Sequence, residues 1–175
     1  KLVPFGEFLP FENLFFKLGM KKITTGYQSF TSDNNRETFS IDSIKYLPLI
    51  CYEIIYTGRL NRNIDDFDFI INISEDGWFG NSIGLKQHFS HSIFRAIEEG
   101  KNLIRSANNG TTAYINSVGQ VVEAIESTQK GVIEINSFKK VEKTFFSENG
   151  NIIFFYFLSF YIILIFFLKK NRENN

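Results

Sequence analysis

The sequence predicts an α/β fold built on one sheet, followed by a membrane-spanning helix. Three observations carry that expectation. First, the apolar runs ending at Ile50 and Ser74 are bounded by turn residues and have the length of buried strands. Second, a segment with helical spacing at 85–100 follows the second run, and strands joined by tight turns come after it. Strands alternating with a helix and then a hairpin imply an α/β sheet rather than an all-β fold. Third, residues 152–168 contain no charge, glycine or proline.

The bulk numbers set bounds. A chain of 175 residues fits one domain, or one domain with an appendage. Lys+Arg and Asp+Glu are both 19, so no global charge favours nucleic acid as a partner. Cys51 is the only cysteine, which excludes an intramolecular disulfide but does not assign a compartment. The chain opens on Lys1-Leu2-Val3-Pro4, without Met and without a signal-peptide pattern, and it is expected to be the C-terminal part of something longer.

In chain order, Pro4 and Pro10 argue against a regular helix over residues 1–12. Glu7 there is either an ordinary loop acid or a carboxylate facing a site. Asn13 to Met20 fits a short helix ending near Gly19. Lys21 to Gln28 is polar, and Ser32 to Glu37 is a turn by composition. Thr38 to Ile41 alternates as a strand, Asp42-Ser43 turns, and Ile44 to Ile50 is the next strand, with Cys51 at its end and a helix expected from Glu53. After an acidic turn at Asp65-Asp66, Phe67 to Ser74 reads as a strand buried on both faces. The glycine-bearing loop Glu75 to Ser82 follows, carrying the single tryptophan, Trp78. In open α/β sheets such loops at strand carboxyl ends hold the ligand site.

Phe89, Ile93, Ala96 and Ile97 form one apolar helical stripe, and Gly100 is a plausible stop. His88 and His91 are three apart, but no third ligand at a recognisable spacing accompanies them, so no metal is expected. Asn102 to Ala107, Thr111 to Asn116 and Val121 to Ile125 read as strands, separated by Asn108-Asn109-Gly110 and Ser117 to Gln120, and Val132 to Ile135 extends the β run. The closing apolar run would span about 25 Å as a helix, near the lower limit for a bilayer core. Lys139, Lys140 and Lys143 precede it and Lys169, Lys170 and Arg172 follow it, so basic residues alone leave its orientation open.

Cys51 by itself reads in two ways. A free cysteine is commonly a small core residue. A thiol at the end of a buried strand, followed by Tyr52-Glu53, is also where an α/β enzyme can hold a nucleophile.

Several segments, in order, resemble the nitrilase (carbon–nitrogen hydrolase) superfamily: LVPFGEF at 2–8, ICYEI at 50–54, NISEDGWFG at 72–80 and QHFSHSIFRAIEEGKNLIRSANNGTTAYINSVG at 87–119. Together with the terminal apolar span, they are most similar to its membrane-bound apolipoprotein N-acyltransferases. The resemblance implies an αββα sandwich, incomplete at the N-terminus, with residues 1–147 catalytic, 148–168 transmembrane and 169–175 a cytoplasmic tail. It implies that Cys51 takes an acyl chain from a phospholipid donor as a thioester and passes it to the α-amino group of an apolipoprotein's N-terminal cysteine. Glu7 would be a supporting carboxylate, Glu53 would shape the site, and the Tyr52 backbone N–H would be an oxyanion donor; Trp78 and Phe79 are candidates for substrate contact. No cofactor is implied, and a monomer in the bacterial inner membrane, with its catalytic domain periplasmic, is expected.

The family's triad glutamate and lysine would both precede Lys1, so Lys1 is not the triad lysine and residues 1–175 alone are expected to be inactive. Glu75 stands where the family often has Asn or Asp, and Ile93 where it often has Arg, leaving Arg95 as that helix's arginine. Two other readings stay open: an amidase acting on a small C–N substrate, and a non-catalytic membrane-anchored module of the same fold.

Overall fold

The computed structural model describes residues 2–3, 7–19, 31, 36–58, 60 and 66–173. Lys1, Pro4 to Gly6, Met20 to Gln28, Ser32 to Asn35 and Asp65 lie outside the described residues. The described part forms one six-stranded mixed sheet with the strands side by side in chain order. They are β1 (Phe39–Ile41), β2 (Ile44–Ile50), β3 (Phe69–Glu75), β4 (Asn102–Asn108), β5 (Thr112–Ile115) and β6 (Val121–Ile125). The pairs β2–β3 and β3–β4 are parallel and the other three are antiparallel. Helix α1 (Glu12–Lys17) precedes the sheet, and α2 (Gly84–Glu99) makes the crossover between β3 and β4.

Register decides what faces α2. Leu47, Ile70, Leu103 and Ile115 lie side by side across β2 to β5, and all are buried. They join Leu49, Ile54, Leu60, Phe67, Ala96 and Ala113 in one apolar cluster, against which Phe89 and Ile93 pack. Each fully buried Leu or Ile contributes about 1.5–3 kcal/mol. One step toward the carboxyl ends, the facing layer is Leu49, Asn72, Arg105 and Ala113. The same face therefore turns from apolar to polar within two residues, and that change marks the functional end of the sheet.

Several expectations need correction. The helix expected from Glu53 is a single 3-10 turn over Cys51–Ile55. Strand β3 is not buried on both faces: Ile73 is 53% exposed and pairs in register with the equally exposed Ile50. Among the described residues no second sheet covers that face. The apolar stripe expected on α2 is only partly the buried one, because Ile97 is 46% exposed while His88, Ser92, Arg95 and Glu99 are buried with Ala96. The sheet opposite His88 and Ser92 carries Asn72 and Arg105, and the polar side chains of α2 meet Arg105 there. Gly100 does stop α2, in the left-handed conformation (φ 64°) that glycine adopts without a side-chain clash. Residues 132–135 form no strand, and the segment runs back instead to the start of β4, where Lys101 Nζ donates to Val141 O (2.9 Å) and Asn102 Nδ2 to Lys139 O (3.0 Å).

A short helix, α3 (Phe145–Asn149), capped by the Thr144 side chain, separates the sheet from α4 (Ile152–Glu173). The apolar helix begins at Ile152, where the apolar run of the sequence begins, and carries Lys169, Lys170 and Arg172 on its last turns. Its stretch Ile152–Lys170 is long and apolar enough to cross a membrane, and no residue of it is buried against the sheet.

Candidate active site

The parallel strands β2, β3 and β4 end on one side of the molecule, and Cys51 is the first residue past β2. Its φ is +49°, in the left-handed region that a residue with a Cβ enters only at a cost of about 1–2 kcal/mol. Such strain persists where the surroundings over-determine it, and it recurs at active sites. Two side chains supply the constraint here. Asn72 Nδ2 donates to Leu49 O (3.0 Å) and Cys51 O (3.2 Å), fixing the peptide group before Ile50 and the one after Cys51. Glu53 Oε2 accepts the Ile50 N–H (2.9 Å) and closes the turn, while Glu53 Oε1 lies 3.8 Å from Arg36 Nη2. The thiol is half-buried, 3.6 Å from Ser74 Oγ and 3.9 Å from Glu75 O.

Behind the thiol lies a buried polar network. Asp76 Oδ1 accepts from Ser74 Oγ (2.6 Å) and from His88 Nδ1 (2.9 Å). A carboxylate can only accept, so Nδ1 carries the imidazole proton. Asp76 Oδ2 accepts from Arg105 Nη2 (2.6 Å), and Arg105 Nη1 donates to Asn72 Oδ1 and to Ser92 Oγ. Burial pushes the Asp76 carboxyl up, but the hydrogen bonds from His88 and Ser74 and the Arg105 charge outweigh it and hold the group at about 2. Asp76 is therefore a fixed anion. Gly110 belongs to the same assembly: a Cβ there would stand 2.1 Å from Asp76 Oδ2, so only glycine lets the β4–β5 turn close over the carboxylate.

The loop after β3 is held from its exposed side by Glu75. Its carboxylate accepts from Gly77 N (2.7 Å), Asn108 Nδ2 and Asn109 Nδ2 (3.1 Å), and these bonds lower its pKa. Beside the Cys51 turn, Tyr52, Phe79 and His88 cluster, with the His88 ring 5.4 Å from Tyr52 and 5.2 Å from Phe79. They line a cavity of about 420 Å³ together with Gly84, Gln87, Ser90, His91 and Phe94.

The structure brings together some of the residues chosen from sequence and separates others. Cys51, Tyr52 and Glu53 share one turn, and Phe79 lines the cavity beside them. Trp78 is 70% exposed and is not part of that lining. Glu7 is folded back on its own segment, its Oε2 accepting the Val3 N–H at 2.9 Å. That segment docks just after the Cys51 turn, where Tyr56 Oη donates to Leu2 O (3.0 Å), and burial, followed by the Glu7 charge, raises the Tyr56 pKa. Arg95 reaches Glu98 (2.8 Å), away from the thiol network. Sequence reasoning missed Asn72, Ser74, Asp76, His88 and Arg105 as one unit. The available signal was a polar residue at alternate positions inside the apolar run of β3, Asn72 and Ser74, with Arg105 following Leu103-Ile104 in β4.

A half-buried thiol on a strained strand-to-turn corner, at the carboxyl end of a parallel β pair, narrows the choice of family. Residues 1–136 match the family profile described as carbon-nitrogen hydrolase. The chain belongs to the carbon–nitrogen hydrolase family. It is 40% identical over 134 residues to an apolipoprotein N-acyltransferase of Rhizobium rhizogenes, a match covering 76% of this chain and 25% of that protein. A second apolipoprotein N-acyltransferase, from Bradyrhizobium diazoefficiens, is 36% identical over 152 residues, covering 86% of this chain and 28% of that protein. The chain thus spans about a quarter of the length of these curated relatives. The crystal structure of a carbon–nitrogen hydrolase from Helicobacter pylori G27 shares the fold, with a TM-score of 0.50 at 13% identity over 57% of this chain and 42% of that one. The mixed sheet with α2 across it is thus the family's fold.

Proposed function

We propose that this chain carries the nucleophile of a membrane-bound apolipoprotein N-acyltransferase. The observation that carries the reading is Cys51 itself, in a left-handed backbone conformation at the carboxyl end of β2, within a chain similar to enzymes of that name. In this reading the Cys51 thiolate attacks the ester carbonyl of a phospholipid. The C–S bond forms, the ester C–O bond breaks, and the lysophospholipid leaves as an alcohol after taking a proton. The α-amine of an apolipoprotein's N-terminal cysteine then attacks the thioester, forming the amide and releasing the thiolate as the amine gives up its proton. Splitting one transfer into two easier steps is what a covalent intermediate achieves.

The Tyr52 N–H, first after the nucleophile, is the oxyanion donor in this scheme. Glu53 holds the turn, and Glu7 supports the site through the segment packed on Tyr56. The cavity beside Tyr52 and Phe79 supports a substrate role for Phe79, with Trp78 on the exposed side of the same loop. Helix α4 crosses the inner membrane, with Lys169, Lys170 and Arg172 on the cytoplasmic side and the sheet in the periplasm, in accord with the positive-inside tendency.

In the complete protein, Cys51→Ala abolishes transfer of a labelled acyl chain from a phospholipid to a lipopeptide with an N-terminal cysteine. Full transfer by that variant rejects the assignment. The family match also favours a second reading, hydrolysis of a small C–N bond. Turnover of small amides by a protein inert toward phospholipid and lipopeptide would establish it.

A further inference from the structure

We propose that Ser74 is a positioning residue for Cys51, its hydroxyl turning its single proton from Asp76 to the sulfur when the thiol ionises. The inference rests on Cys51 being the nucleophile. The Ser74 Oγ stands 2.6 Å from Asp76 Oδ1 and 3.6 Å from Cys51 Sγ, but a hydroxyl has one proton and cannot donate to both at once. With Cys51 a neutral thiol, the carboxylate is the nearer and charged acceptor, so Ser74 donates to Asp76 while the S–H is directed to Glu75 O. Once the thiol has lost its proton to solvent, the sulfur can only accept, and the Ser74 O–H turns to it.

Two features make the turn affordable. Asp76 keeps partners when Ser74 leaves it, because His88 Nδ1 (2.9 Å) and Arg105 Nη2 (2.6 Å) still donate to it. Ser74 also has a fixed address: it is buried, on the strand that Asn72 and Arg105 tie to the Cys51 turn.

The other hydrogen bond to the sulfur has the opposite effect. The Glu75 carbonyl, at 3.9 Å, can only accept from an S–H and so favours the neutral thiol. Among the described residues, Ser74 is therefore the side chain able to favour the ionised sulfur by direct donation. The titratable and charged groups on the elements around it are Tyr52 and Glu53 on its own turn, Glu75 and Asp76 after β3, His88 on α2 and Arg105 on β4. Asp76 and Arg105 neutralise one another, which leaves the hydroxyl's orientation as the variable.

The test uses the complete protein in detergent, with iodoacetamide as the probe and Cys51 alkylation followed by peptide mass spectrometry across pH. Ser74→Thr and Ser74→Val are compared, since they share bulk and branching and differ in a hydroxyl against a methyl. The expected result is a Val profile with its midpoint about one pH unit above that of Thr, hence about tenfold slower alkylation at neutral pH, with Thr near the wild type. If Ser74→Val does not fold, the smaller Ser74→Ala takes its place in the comparison. Coincident profiles for the variants with and without the hydroxyl overturn the proposal. Alkylation does not require acyl transfer, so shifted profiles in a protein that transfers no acyl chain would reject the proposed function and leave the role of Ser74 standing.

Discussion

Arg105 Nη2 lies 2.6 Å from Asp76 Oδ2, and solvent reaches neither side chain. The pair ties the middle of β4 to the loop after β3, and through Asn72 it holds the turn that bears Cys51. Removing one member of a buried pair leaves the other charge uncompensated, at about 3–5 kcal/mol. Arg105→Met is therefore expected to lower stability by about that amount. Arg105→Lys should recover little of it, because one ammonium cannot reproduce the guanidinium's fork to Asn72, Ser92 and Asp76. Denaturation midpoints of the two variants, with the Asp76→Asn double mutant showing non-additivity, check this.

Two buried carboxyls give the pH profile two opposite limbs. Asp76 is held at about 2 against an ordinary 3.8, so it contributes stability above pH 3.8 that is lost as pH falls through about 2, on the order of 2 kcal/mol. Glu99 is pushed by burial, and then by Glu98, from 4.5 to about 7. Its contribution is full below pH 4.5 and is lost as pH rises through about 7, on the order of 3 kcal/mol. Denaturation midpoints between pH 2 and 8 should show Asp76→Asn flattening the acid limb and Glu99→Gln the neutral one.

The backbone at Cys51 predicts a reversal of an ordinary preference. In most ordered positions glycine is less stable than alanine, but at φ +49° the Cβ is the liability. Cys51→Gly should be more stable than Cys51→Ala by about 1 kcal/mol. Both should be inactive in acyl transfer. Thermal melting of the pair in detergent decides it, and an Ala variant as stable as Gly would contradict the strained corner.

Helix α4 gives a prediction about anchoring. Ile162 lies near the middle of Ile152–Lys170. An arginine at the centre of a spanning helix costs about 2.5–3.5 kcal/mol. Ile162→Arg should therefore move residues 1–175, expressed as such, from the carbonate-resistant membrane fraction toward the soluble or aggregated one, while Lys169→Arg should not.

Much of the architecture is legible because it is local. The turn at Asp42-Ser43, strand β2 with Cys51 at its end, the bounds of α2 with its glycine stop and strand β6 follow from short-range apolar spacing and turn chemistry. The buried face of α2 is not. Phe94 and Ile97 are as apolar as Phe89 and Ile93, and only the core they meet or miss separates the exposed pair from the partly buried one.

By itself, then, the sequence determined the α/β class, the order of elements and the apolar terminal helix, all properties of residues near one another in the chain. The tertiary structure alone decided that Asn72, Ser74, Asp76, His88 and Arg105 are one network. They come from β3, its following loop, α2 and β4, and parallel register sets Asn72 beside Arg105 and Ser74 one layer further toward the thiol. Their polarity is tolerable in the interior only because each finds the other's donors and acceptors, and those partners are fixed by the packing of α2 on the sheet rather than by spacing along the chain.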